Sequence, residues 1–414
     1  MSDNVKINHI GADGHGVAKT PHGSVYIPFT LPGEVVKVAL HGKYGTSIAL
    51  MKKSLERIDA ICKHFKECGG CMLQHWHVDA YHSWKRQLVV DALKKHRFDV
   101  AVSPLVKCAH YSRRRIILTA SMTKQGHIVG FNRHLSHDVV AIEECPVTRS
   151  QIISKLNDIR AICALLGNHA KRFHVTVTSV DNGFDVALRG CIVRDELIRQ
   201  NMIHAALVRG ITRLSVEGEV LVEQEKPLIY FGDVCVELPS GGFLQATSEA
   251  EDIISHIILT HFKKAKSAVD LFSGVGTFTF RMAKTMNVHA VENDETALAN
   301  LEHAARFASG LKTVTCEKRD LFRRPLSAKE LERFDSVVFD PPRAGAKEQV
   351  CELAKTTIPR VVAVSCNPVT FARDLSILVA GGYTVEKVIP IDQFLWSSHV
   401  EVVAILSKRK TKMR

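Results

Sequence analysis

Nowhere in the 414 residues is there an uninterrupted run of roughly 18 uncharged apolar residues. The opening MSDNVKINHI also lacks the basic segment and apolar stretch of a secretory leader. Together these absences point to a cytoplasmic protein with no membrane partner. No internal repeat is visible, and the composition is neither low-complexity nor disordered: 46% hydrophobic, 24% charged, 25 Gly and 13 Pro. Acidic residues are in short supply, 43 against 55 Lys and Arg, for a net charge of +12. Such an excess suits a polyanionic partner, because cations gain long-range attraction and counterion release on meeting phosphates. A generic basic protein has the same balance, so charge alone does not decide. What is present is length enough for two or three separately cored domains. There are also eleven cysteines, which in a reducing compartment point to metal or catalysis rather than disulfides.

Residues 1–55 read as short strands broken by glycine turns (GADGHG, SVYIPF, LPGEVVKVAL, SIALMKK), the pattern of a small β-barrel of the OB type. Residues 56–240 form a central α+β region. It opens on a cysteine-rich segment, then a helix over 76–97 with Leu88, Val89, Ala92 and Leu93 on one face; this helix could pack on the C-terminal region. Strands IILTASM, HIVGF, HVTVTSV and FDVALRG then alternate with helices over 152–166 and 198–209. Residues 241–414 show apolar strand cores separated by helices, with a terminal hairpin around TVEKVIPID and VEVVAIL. That describes a doubly wound, mostly parallel α/β sheet, whose ligands bind beyond the carboxyl ends of the strands.

Chemistry-bearing residues fall at those strand ends. In AVDLFSGVGTFTF, Gly274 and Gly276 permit a tight turn and close approach to a ligand, though a plain structural turn has the same signature. Glu292 ends the next strand, where a carboxylate can accept both hydroxyls of a ribose or can favour a helix N-terminus. DLFSGVGTFT, VEND, RDLF, FDPPRAG and SCNPVTFARDL, in this order, resemble the motifs of class I, Rossmann-like methyltransferases, specifically the RNA uracil-5 methyltransferases. The resemblance implies S-adenosylmethionine as cofactor, held by Gln245, Phe272, Thr277, Glu292, Asp320 and Asp340. Thr277 stands where the family often has Asn, and Ser273 where it often has Cys.

Carbon 5 of uracil is too weakly nucleophilic to attack a methyl sulfonium. Addition of a thiolate to carbon 6 creates an enolate, and a base must later remove the carbon 5 proton. Cys366 suits the first task, lying directly after the strand RVVAV, before Asn367 and Pro368, with Arg373 one turn into the next helix. A helix N-terminus and a guanidinium would lower its pKa. For the base, the resemblance points to Glu401 in HVEVVAIL, beside His399; a solvent-facing edge-strand carboxylate is the alternative. The preceding FLWSS departs from the family's Pro-His-Thr. Arg343 in DPPR is the candidate for polarising a uracil carbonyl, with a structural salt bridge as alternative.

Cys62, Cys68 and Cys71, with Cys145 remote and followed by Pro, have the spacing style of an iron–sulfur site; four thiolates also suit zinc. CxxxxxCGGCxxQH and the later CPV resemble a subset of the same family that joins an N-terminal TRAM module to a [4Fe-4S] cluster, which implies a structural cluster here. Arg113, Arg114 and Arg115 alternate along a strand, so at most two face one RNA surface. Arg133, His137 and the tail KRKTKMR are further candidates for phosphate contact, and Phe243, Phe394 and Trp396 are candidates either for stacking around an extruded base or for core. The expected partner is RNA: ribosomal (23S) RNA by the resemblance, with a transfer-RNA uridine or a non-catalytic RNA-binding iron–sulfur protein as rivals. A monomer is expected.

Overall fold

The computed structural model describes residues 2–98 and 100–408. Strands β1 (Ser2–Ile10), β2 (Gly16–Thr20), β3 (Gly23–Ile27), β4 (Val35–His41) and β5 (Tyr44–Lys52) close into a barrel in the order β1-β2-β3-β5-β4. Its interior is filled by Ile7, Ala18, Ile27, Val36 and Val38. Glu34 is fully buried, and the Arg57 guanidinium just beyond the barrel holds it through two hydrogen bonds of 2.5 and 2.7 Å.

The central sheet uses β6 (Arg115–Thr123), β7 (Gly126–Asn132), β8 (Val139–Val140), β9 (Arg172–Val180), β10 (Gly183–Arg189), β11 (Arg213–Val216) and β12 (Glu219–Glu223), ordered β12-β11-β10-β9-β6-β7-β8. The helix expected over 152–166 is broken at Lys155 into Ser150–Ser154 and Leu156–Ala164. The second helix, Glu196–Val208, starts at Asp195, whose carboxylate accepts from the Leu197 and Ile198 amides. Both helical stretches bury their apolar faces on this sheet. A hairpin of β13 (Leu228–Phe231) and β14 (Val234–Glu237) follows.

The C-terminal sheet contains β15 (Ser267–Leu271), β16 (Asn287–Glu292), β17 (Val314–Lys318), β18 (Ser336–Phe339), β19 (Arg360–Ser365), β20 (Thr384–Ile391) and β21 (Glu401–Ser407), ordered β17-β16-β15-β18-β19-β21-β20. The first five in chain order are mutually parallel, and β21 inserts antiparallel between β19 and β20, so the sheet is mixed. The order reverses between β15 and β18, which opens a crevice at their carboxyl ends.

The Val78–Lys95 helix precedes the central sheet in sequence yet packs Val89, Ala92 and Leu93 into the core of the C-terminal sheet. Val102 and Val106 then run beside Val388 and Ile391 and cover the outer strand β20. At the join, the fully buried Lys85 ammonium donates to Asp392 Oδ1 and to the carbonyls of Phe394 (2.7 Å) and His399, while the Tyr81 hydroxyl donates to Asp392 Oδ2 (2.7 Å). Among the described residues no helix is long and apolar enough to cross a membrane.

Removing one member of a buried ion pair strands its partner, so Lys85→Met is expected to cost about 3–5 kcal/mol. The double variant with Asp392→Leu should recover much of that loss. Denaturant unfolding of the two variants checks this, and a double variant no better than the single would contradict it.

Candidate active site

Loops at the carboxyl ends of β15, β16, β18 and β19 enclose a cavity of about 610 Å³, within the usual size of a small-molecule site. It is lined by Gln245, Phe272, Thr277, Glu292, Asp320, Asp340, Arg343, Cys366 and Glu401, so all the residues proposed for cofactor and catalysis meet in one place. Phe243 and Phe394 line it too. Trp396 does not: it is buried with Ile10, Leu31 and Leu73, where the barrel meets the cysteine-rich segment, and is core.

The β15 loop turns through two left-handed residues in quick succession, Phe272 (φ +62°) and Gly274 (φ +54°). Phe272 has a side chain in a conformation that disfavours one, a strain that persists where surroundings fix it; its ring packs on Phe322, centroids 5.5 Å apart. Gly276 (φ +95°) is required twice over, since a Cβ there would lie 2.5 Å from the Phe280 ring. Glu292 clamps this loop: its carboxylate accepts from the Gly274 amide (2.9 Å) and from the amides of Asn293 (2.6 Å) and Asp294 (2.8 Å). Three of a carboxylate's roughly four acceptor positions are therefore taken. Asp320 similarly accepts from the Phe322 amide (2.9 Å) and keeps Oδ2 toward the exposed Arg323.

Cys366 follows β19, and the reason for Asn-Pro after it is local. Asn367 caps the Pro368–Ala380 helix by accepting from the Val369 amide (3.1 Å), and its own amide donates to the Arg343 carbonyl (3.0 Å), fixing the DPPR loop against the cysteine. The expected activation by Arg373 is not found, because that guanidinium is engaged by Asp374 and the Ala344 carbonyl. The thiol pKa is instead pushed up to about 11, first by burial and then by Glu401 and Asp340, with Arg343 pulling the other way.

Glu401 sits on an internal strand, 2% exposed, so the edge-strand alternative fails. Burial, reinforced by Asp340, holds its carboxyl well above the usual range. Asp340 is itself raised to about 7 by burial, although the Gln245 side chain donates to it. Sequence reasoning missed Gln393, whose amide donates to both Glu401 and Gln245. Its only signal was a polar residue in an apolar run next to Asp392.

Cys366 and Arg343 also line a second, open groove of about 940 Å³ between the barrel loop 8–13, the Val78–Lys95 helix and the His399 loop. The cysteine thus stands where two cavities meet. Of the three successive arginines, Arg114 is buried in an ion pair with Glu251. Arg113 and Arg115 line the first cavity, and Arg113 stacks near Phe394, 6.0 Å from the ring centroid. Arg133 is exposed and lies 4.0 Å from Glu67, and the His137 carbonyl accepts from Arg172. Residues 409–414 of the basic tail lie outside the described residues.

Cys62, Cys68, Cys71 and Cys145 line one further cavity of about 280 Å³, whose wall Arg113 and Arg115 share with the first. Among the described residues no three Cys, His, Asp or Glu side chains stand close enough to hold a single metal ion.

A thiol at about 11 is almost wholly protonated at neutral pH. Alkylation of Cys366 by iodoacetamide, followed by peptide mapping, should therefore accelerate about tenfold per pH unit from pH 8 to 10 in the ligand-free protein. A rate already level at pH 8 would show a thiolate at rest.

Residues 233–409 match the family described as tRNA (Uracil-5-)-methyltransferase. An uncharacterized RNA methyltransferase of Brucella suis is 52% identical over 98% of this chain and 97% of its own. The 23S rRNA (uracil(1939)-C(5))-methyltransferase RlmD of Shewanella denitrificans is 29% identical over 97% of this chain and 94% of its own. Among solved structures, Pyrococcus abyssi tRNA (uracil-54, C5)-methyltransferase in complex with S-adenosyl-L-homocysteine superposes with a TM-score of 0.76 at 24% identity, covering 97% of this chain and 99% of that one. With a relative 52% identical along nearly its whole length, the chain belongs to the RNA methyltransferases, and its residues 233–409 match the uracil-5 family.

Proposed function

We propose that this enzyme transfers a methyl group from S-adenosylmethionine to carbon 5 of a uridine in 23S ribosomal RNA, with Cys366 as nucleophile and Glu401 as base. The carrying observation is the place of Cys366: inside the cavity that holds Glu401, Asp340 and the β15 loop, and open to a groove large enough to admit an extruded nucleotide. Gln245, Phe272, Thr277, Glu292, Asp320 and Asp340 are the residues to hold the cofactor, which supplies an electrophilic methyl sulfonium.

The Cys366 sulfur adds to carbon 6, and the ring becomes an enolate whose oxygen lies toward Arg343. Carbon 5 takes the methyl group. Glu401 then removes the carbon 5 proton, the ring double bond re-forms, and the carbon–sulfur bond breaks. The positive charge of a bound cofactor would favour ionisation of the acidic groups that line the cavity, the Cys366 thiol among them. Both the named ribosomal relative and the transfer-RNA enzyme align along nearly the whole chain; ribosomal RNA is preferred on identity, 29% against 24%. Arg113 and Arg115, on the cavity wall, are the central region's candidates for RNA contact.

Cys62, Cys68, Cys71 and Cys145, which line one cavity, are the residues that would hold a [4Fe-4S] cluster, with zinc as the alternative; the reading rests on their spacing in the sequence and on that shared cavity. Arg113 and Arg115, whose hydrogen bonds go to the carbonyls of residues 115 and 241, would balance the thiolate charge from one side. Burial holds the Cys68 thiol at about 11, so cluster binding must displace protons.

Incubation with cofactor and a 5-fluorouridine-containing RNA should trap a covalent protein–RNA adduct that is absent from Cys366→Ala. An adduct persisting in that variant would overturn the nucleophile. Mapping 5-methyluridine in a deletion strain should show its loss from 23S ribosomal RNA; loss from transfer RNA alone would make the enzyme a transfer-RNA methyltransferase. Anaerobically purified protein should contain iron and absorb broadly in the visible, whereas zinc without that absorption would replace the cluster.

A further inference from the structure

We propose that Gln393 is a positioning residue: its amide ties Glu401 Oε2, leaving Oε1 as the atom that takes the carbon 5 proton. This rests on the covalent reading above. Gln393 lies just past β20, on the cavity wall, and is 2% exposed. Its Nε2 donates to Glu401 Oε2 and to Gln245 Oε1 (3.2 Å), and Gln245 Nε2 in turn donates to Asp340 Oδ2. One chain of side chains thus runs from the carboxylate beside the proposed cofactor site to the proposed base.

When Glu401 is charged, as a base must be, the NH₂ end of Gln393 is the end that can face it. Glu401 Oε1, by contrast, is buried with no hydrogen-bond partner among the described residues. An unpaired buried acceptor costs free energy unless something completes it. The bond being broken at carbon 5 would complete it.

The groups facing Glu401 are Asp340 from the loop after β18, Cys366 from the end of β19, and Gln393 itself; Arg343 reaches Cys366 and His399 from the far side. Against burial and one acidic neighbour, Asp340, the Gln393 amide is what favours the charged carboxylate. In the elimination, the proton passes from carbon 5 to Oε1 and the carbon–hydrogen electron pair forms the carbon 5–carbon 6 double bond. The carbon 6–sulfur bond breaks with its pair on Cys366. Loss of the amide should therefore slow this step and leave methyl transfer, which precedes it, intact.

The test uses the full-length, anaerobically purified enzyme and Gln393→Met, which keeps the volume and removes the donor. Under single-turnover conditions with ordinary target RNA, methyl transfer should stay within about twofold of the unaltered enzyme. The methylated covalent adduct should persist on a denaturing gel, with release slowed at least about tenfold. The acid limb of the turnover profile should move to higher pH, with the RNA KM unchanged. Gln393→Leu, which likewise lacks a donor, should behave the same way and serves if the methionine variant does not fold.

An adduct that decays at the unaltered rate, or methyl transfer that falls in step with release, would overturn the proposal. Should the unaltered enzyme form no adduct with 5-fluorouridine RNA, the covalent reading fails first and this proposal with it.

Discussion

A lysine ammonium with no access to water has to be satisfied entirely by protein, and Lys85 meets that demand at the point where the elements of this enzyme come together. Its partners, Asp392 and the carbonyls of Phe394 and His399, all belong to the segment between β20 and β21. The same segment is held elsewhere: the Trp396 amide donates to the Tyr81 hydroxyl (2.7 Å), and its carbonyl accepts from the Met72 amide (2.8 Å), one residue after Cys71. Trp396 takes φ +54° to make these contacts. The cysteine-rich segment, the Val78–Lys95 helix and the loop leading to Glu401 thus form one hydrogen-bonded unit. The barrel joins it through Ile10, whose carbonyl accepts from the Trp84 ring (3.3 Å). Local disorder in the cysteine segment would reach the catalytic loop through backbone bonds, without a long relay.

Within the site, desolvation outweighs every pairwise charge. It comes first among the causes that raise Asp340, Cys366 and Glu401. Burial therefore favours the neutral form of these particular groups, the Cys366 thiol included. It also explains why a helix N-terminus next to Cys366 does not by itself give a reactive thiol: the helix dipole is a surface-scale effect, and here it works against burial and two acids.

The architecture was legible because it rests on periodicity. The glycine-broken strands of the barrel, the apolar strand cores of the C-terminal sheet and its terminal hairpin all follow from pattern. The helix break at Lys155 does not, because no Pro or Gly marks it. Cys366 and the residues that line its cavity were readable from strand-end positions and motif order. Their electrostatics were not, because burial is a property of the assembled fold: Arg373 looked like the activating cation until Asp374 took it, and Arg343, thirty residues earlier in the chain, proved to be the nearer one. Gln393 escaped notice for a related reason. A glutamine has no reactivity of its own, and its meaning arises only when Gln245 and Glu401, 148 and 8 residues away, are brought to either side of it.

Two openings meet at Cys366. The cavity with the β15 loop is lined by the groups that raise the thiol, whereas the groove side offers Arg343, His399 and the barrel loop. On the reading proposed above, a uridine entering by the groove would meet Cys366 beside Arg343 and His399, while the cofactor would occupy the cavity on the other side, so the two ligands need not share an entrance.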